Sequence, residues 1–146
     1  MLNKQLIEQK INSILEDLQR LKIYLPDTKA AFLKDMQTQD SVERVMERLV
    51  GRAIDINQHI IVEVFPFKVA APLEYRETFI KIGRMGVLPH NFAESISQSA
   101  GFRNRLVHGY ETINEKKVYD SALSALKDFP QYCDYISKFL RKEQNS

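Results

Sequence analysis

Arg103, Arg105 and His108 place two permanent cations and one group that titrates near neutral pH within six residues. That combination suits phosphodiester chemistry. Cleaving RNA without a metal needs one group to take the 2'-hydroxyl proton, another to protonate the leaving oxygen, and a cation to hold the charge growing on phosphorus. A histidine and an arginine meet that minimum. The other two histidines also follow arginines. Arg84 precedes His90, but Gly86 and Pro89 between them should break any shared helix. Arg52 precedes His59 by seven positions, close to one helix face in an apolar segment, where a locally hydrogen-bonded buried or edge histidine is expected.

The elements that must carry these residues read as helices throughout. Five Gly and five Pro in 146 residues are too few turn signals for many short strands, yet enough to separate several long helices. Residues 2 to 24 place Leu2, Leu6, Ile7, Ile11, Ile14, Leu15, Leu18 and Leu21 at helical steps, and Pro26 closes the pattern. A second helix follows Asp27-Thr28 with Ala31, Phe32 and Met36 on one face, and the polar run 37–41 is expected to kink or break it. From Val42 to Val64 the apolar arc is wide, as in a central helix buried on more than one side, with Pro66 ending it. Pro72 should open a third helix carrying Leu73, Phe79, Ile80 and Ile82, with Gly86 as its stop. Pro89 opens a fourth, expected to run through Phe92, Ile96, Ala100, Phe102, Leu106 and Val107 to Gly109. Asn114 caps a fifth, with Val118, Ala122, Leu126, Phe129, Cys133, Ile136, Phe139 and Leu140 inward and a kink at Pro130. Tyr119, Tyr132, Tyr135 and Cys133 on this helix read as packing residues. The expectation is one all-α domain over 1–146, an up-and-down bundle of about five helices.

Composition narrows the function. With 44% apolar and 27% charged residues the chain suits an ordinary soluble domain, and no stretch approaches ~18 uninterrupted apolar residues. No cationic start leads into an apolar run, so a cytoplasmic protein is expected. One cysteine and three scattered histidines give no zinc spacing, and neither metal nor cofactor is expected. A net charge of +2 is too small to bind nucleic acid by bulk electrostatics, so any polyanion site must be a local patch.

Within Arg103-Asn104-Arg105-Leu106-Val107-His108-Gly109-Tyr110, Asn104 and His108 are four apart and share a helix face. Arg103 and His108 are five apart and sit ~140° around a straight helix, so one helix does not make the site. Two such helices related by a two-fold axis could, each protomer giving its Arg or His to a shared cleft. Arg105, three from His108, is the better intrahelical neighbour and the rival for the phosphate-binding role.

The string RNRLVHGY resembles the R-x4-H-x-Y motif of the HEPN superfamily, in particular the HepT toxins encoded beside a minimal nucleotidyltransferase, MntA. The likeness extends over most of the chain: an opening helix, Gln39-Asp40-Ser41-Val42, Arg52-Ala53-Ile54-Asp55-Ile56 with Asn57 and His59, and then the motif. Many relatives carry a glutamate-alanine pair where this chain has Arg52-Ala53. The resemblance implies a dimeric, metal-independent endoribonuclease toxin. In it Arg103 contacts the scissile phosphate, His108 transfers the proton and Asn104 orients His108. It also implies that a partner nucleotidyltransferase, using ATP and magnesium, attaches AMP to the Tyr110 hydroxyl and so neutralises the toxin. Two other readings stay open: a non-catalytic helical adaptor that docks a nucleotidyltransferase or binds nucleotide, and an interaction module that neutralises some other toxin. The blandest reading of the motif is a solvated basic helix end with His108 as its cap.

Overall fold

Ile7, Ile11, Ile14, Leu18 and Leu21 recur at steps of three and four, and this stripe is buried along α1 (Lys4–Tyr24). The structure, a computed structural model, describes residues 2–64, 73–101 and 114–144. Asn3 caps α1 through Oδ1, which accepts from the Leu6 N–H at 3.0 Å. Leu6 and Leu15 belong to the same apolar pattern but stand outside the contact stripe and stay exposed.

Thr28 Oγ1 accepts from the Ala31 N–H at 3.1 Å and starts the short α2 (Lys29–Leu33), whose Phe32 is buried while Met36 beyond it is exposed. The break between the second and third helices comes earlier than the polar run suggested. Asp35 Oδ1 takes the N–H groups of Gln37 and Thr38 at 3.1 and 3.2 Å, which caps a new helix there. The run 37–41 is therefore the opening of α3 (Met36–Val64), not an interruption. Eleven of its residues, from Val42 to Ile61, are buried over a wide arc, and it packs against α1, α2, α4 (Tyr75–Arg84) and α6 (Glu115–Gln144).

The third expected helix starts later than Pro72, which lies outside the described residues. The Glu74 N–H donates to Glu77 Oε1 at 3.3 Å, and this capping interaction sets the start of α4 at Tyr75. At its other end Gly86 adopts φ +84°, with the Gly86 N–H on Gly83 O and the Val87 N–H on Ile82 O, a Schellman stop only glycine adopts without strain. A Cβ on Gly83 would meet Ala93 Cβ at 2.5 Å, so this glycine lets α5 (His90–Ile96) lie directly on α4.

The fourth helix does not run on as one α-helix. It tightens into a 3₁₀ turn at Ser97–Ser99, where the Ser97 and Ser99 hydroxyls donate back to Glu94 O and Ile96 O at 2.6 and 2.7 Å. Residues beyond Gly101 on this stretch, Phe102, Leu106 and Val107 among them, lie outside the described residues. Asn114 Oδ1 then accepts from the Lys116 N–H at 3.1 Å and caps α6. Pro130, on the exposed side, sits inside α6 without ending it.

The result is an all-α bundle, helical in every regular element among the described residues. Its core is centred on α1, α3 and α6 and closed by residues of α2, α4 and α5, with Tyr132, Phe32, Phe79 and Phe129 its largest buried side chains. Full burial of each such side chain is worth about 1.5–3 kcal/mol.

Candidate active site and its polar surroundings

Arg103, Asn104, Arg105, His108 and Tyr110 all lie outside the described residues. The stretch they occupy is bracketed by the 3₁₀ turn at Ser97–Ser99 and by the capped start of α6. Ser99 and Lys117, three and four residues from its two ends, line one hollow of about 370 Å³ with Ser121, Ser124 and Asp128. Burial pushes the Asp128 carboxyl above its ordinary value.

At the first turn of α6, Glu115 faces Glu43 of α3. Glu43 Oε1 and Glu115 Oε2 are both shielded from solvent and meet no donor among the described residues. Burial first, then the hydrogen bond and charge of Glu115, hold the Glu43 carboxyl up at about 8. A proton between the two carboxylates removes the clash, so the pair is comfortable once at least one of the two is protonated. The folded chain binds that proton more tightly than the unfolded chain does. Stability from the pair is therefore complete below the ordinary value of 4.5 and is lost as pH rises toward about 8. Glu43→Gln keeps a hydrogen bond without the charge. Its melting temperature should fall less than that of the wild type across this window, and parallel curves would show the pair to be uncoupled. Asp35, held low by Thr38, acts in the opposite sense and only below its ordinary 3.8.

A second polar cluster crosses the core. Asn57, fully buried on α3, donates through Nδ2 to Thr78 Oγ1 on α4 at 3.2 Å, and the Thr78 hydroxyl donates to Tyr75 O at 2.7 Å. The Tyr132 hydroxyl of α6 lies 2.5 Å from Asn57 Oδ1 and 3.0 Å from Ala53 O, and its single proton serves the nearer acceptor. One side chain thus joins three helices, and leaving such a group unpaired costs about 1–3 kcal/mol. Tyr132 was expected only to pack. It does so, edge-on to Phe79 and Phe129, but it also carries this bond. Tyr119 packs on Phe32 and donates to Pro26 O, and Tyr135 packs on Phe92. Cys133 is buried, and burial pushes its thiol up to about 12, so it offers no nucleophile.

The third cluster was not singled out in the sequence. Asp17 of α1 is fully buried and accepts from Arg20 Nη1 at 2.9 Å, from Arg48 Nη2 at 3.2 Å, and from Arg52 Nη1. Its signal was a carboxylate sitting on the apolar stripe between Ile14 and Leu21. Arg52 is therefore committed to α1 and not to His59. His59 instead accepts the Asn3 N–H through Nε2 at 3.1 Å, an edge histidine bonded to a residue distant in sequence. Arg84 and His90 share no helix, as expected, but the turn at Gly86 folds them onto one small hollow with Glu94. Among the described residues no group of three His, Cys, Asp or Glu is placed to hold a metal ion, and no helix is long and apolar enough to cross a membrane.

Comparison with known proteins covers nearly the whole chain. The family model described as Ribonuclease HepT-like matches residues 14–136. The tRNA nuclease HepT of Aphanizomenon flos-aquae is 31% identical over 135 residues, 92% of this chain and 90% of that protein. The mRNA nuclease HepT of Shewanella oneidensis is 27% identical over 131 residues, 90% and 96% of the two chains. Among solved structures, the tri-AMPylated Shewanella oneidensis HEPN toxin in complex with MNT antitoxin superposes with a TM-score of 0.79 at 26% identity, covering 94% of this chain and 99% of that one.

Proposed function

Because the chain belongs to the HepT-like ribonuclease family, we propose that it is the RNA-cleaving toxin of a toxin–antitoxin pair and that Arg103 and His108 are its catalytic residues. The observation that carries this reading is the position of RNRLVHGY inside the matched span 14–136, in a chain 31% identical to a tRNA nuclease. In the reaction the substrate's 2'-hydroxyl attacks the adjacent phosphorus, its proton passes to His108, the bond from phosphorus to the 5'-oxygen breaks, and that oxygen leaves as a hydroxyl after taking a proton from solvent water. Arg103 holds the charge that accumulates on the phosphoryl oxygens. Asn104 orients His108, and Arg105 adds a second cation. The five-residue offset between Arg103 and His108 calls for a dimer in which one protomer gives the arginine and its partner the histidine.

Regulation falls to Tyr110, two residues beyond His108. A minimal nucleotidyltransferase partner attaches AMP to its hydroxyl, consuming ATP and releasing pyrophosphate. The similar Shewanella toxin, AMPylated and bound to its MNT antitoxin, supports this assignment. Each AMP brings negative charge and bulk beside the residues that must receive an RNA phosphate.

Incubation of purified protein with transfer and messenger RNA tests the nuclease reading. Cleavage should persist in excess chelator and leave 2',3'-cyclic phosphate or 3'-phosphate ends opposite 5'-hydroxyls. Full inhibition by the chelator would overturn the metal-independent mechanism. The absence of any cleavage would leave the helical adaptor as the better reading.

A further inference from the structure

A net charge of +2 obliges a chain that grips RNA to concentrate its cations, and the arginines around Asp17 do so. The Asp17 carboxylate is closed to solvent, whereas Arg20, Arg48 and Arg52 keep 47%, 39% and 32% of their side-chain exposure. Three guanidinium charges against one carboxylate leave a local excess of two. Each guanidinium has five N–H donors, and each engages Asp17 through a single nitrogen. Arg48 Nε, shielded from bulk water, meets no acceptor among the described residues. Among the described residues most of the donor capacity is thus unspent. The buried anion also holds three long side chains in place before any ligand arrives, which removes part of the ordering cost of binding. Arg44, one turn before Arg48, stands apart from the patch, because it borders a hollow with Asp40, Glu43 and Glu47.

We infer that Arg20, Arg48 and Arg52 form a further RNA-contacting surface, whose outward N–H groups hold substrate phosphodiesters. The inference rests on the ribonuclease reading above. A guanidinium fork takes two phosphate oxygens at once, and RNA repeats that acceptor at every nucleotide without requiring a particular base. Asp17 is the positioning residue of this surface. It touches no substrate and fixes the three groups that do.

The test measures binding of unfractionated transfer RNA to cleavage-inactive His108→Ala protein at several salt concentrations. Adding Arg20→Gln and Arg48→Gln together should lower the slope of log affinity against log salt by about 1.4 to 1.8, at 0.7 to 0.9 per lost phosphate contact. Arg48→Lys alone keeps the charge and should keep the slope. In the active protein the double glutamine variant should raise KM for RNA with kcat unchanged, and its helical melting curve reports whether the fold survives. An unchanged slope and KM in a folded variant overturn the inference while leaving the nuclease reading intact. Weaker binding to the nucleotidyltransferase partner with no change toward RNA would assign the patch to protein docking and overturn it equally. A wild type that neither cuts nor binds RNA removes both readings.

Discussion

RNA cleavage and growth inhibition are expected to be lost in both His108→Ala and Arg103→Ala, with the rate falling by about a hundred- to ten-thousand-fold and the helical circular-dichroism signal unchanged. The two losses have different origins. If His108 moves the proton as proposed, its removal should also erase the pH dependence of whatever activity remains. If Arg103 only stabilises charge, its residual activity should keep that dependence. Mixing the two inactive proteins gives a sharper result. If each cleft takes its arginine from one protomer and its histidine from the other, a mixed dimer has one intact cleft, and random exchange should restore about a quarter of wild-type activity. No recovery after subunit exchange would place both groups in one protomer. An inactive Arg105→Ala beside an active Arg103→Ala would transfer the phosphate-binding role to Arg105. His59→Ala and His90→Ala should stay active. One histidine is occupied by the Asn3 backbone, and the other sits beside Arg84 and Glu94 on the α4–α5 face.

Tyr110→Phe should keep full nuclease activity and escape neutralisation, so that co-expression with the nucleotidyltransferase no longer rescues growth. The change removes the one oxygen of that side chain able to receive AMP and leaves the ring itself unaltered. In the wild type, mass spectrometry of the peptide containing Tyr110 should show one or more added AMP units. The modified protein should lose RNA binding, through repulsion of phosphate and occupation of its place, without loss of helical signal. A Phe variant still silenced by an active partner, with no mass added anywhere, would mean that the partner acts by binding alone.

Helix positions were readable because burial on one face leaves a local trace. Ile7 through Leu21 and Val42 through Ile61 show their period within a single turn or two. Gly86 and Asn114 were readable as end signals for the same reason, since each acts on backbone a few residues away. What escaped was polar and long-range. Asp17 meets Arg52 across 35 positions and Asn57 meets Tyr132 across 75, so neither partner can be named from a window of neighbours. The 3₁₀ turn at Ser97–Ser99 was missed because serine back-bonding competes with an otherwise unbroken apolar period. Asp35 was missed as a start because the polar run after it looked like a gap, when it is a first turn exposed to water. The string proposed as the site was picked out by residue type and resemblance, which do not depend on knowing where its backbone runs.

The packing of α1 against α6 joins the first described helix to the last. Ile7, Ile11 and Leu18 emerge early, whereas α6, which packs against α1 and whose Tyr119 donates to Pro26 O, is made after them. The string from Arg103 to Tyr110 leaves the ribosome before that helix does. Translation halted ahead of Asn114 therefore yields a fragment that contains Arg103, His108 and Tyr110 and lacks Phe129, Tyr132 and Ile136 of the core. Such a fragment should be degraded faster than the whole chain, because its core cannot close.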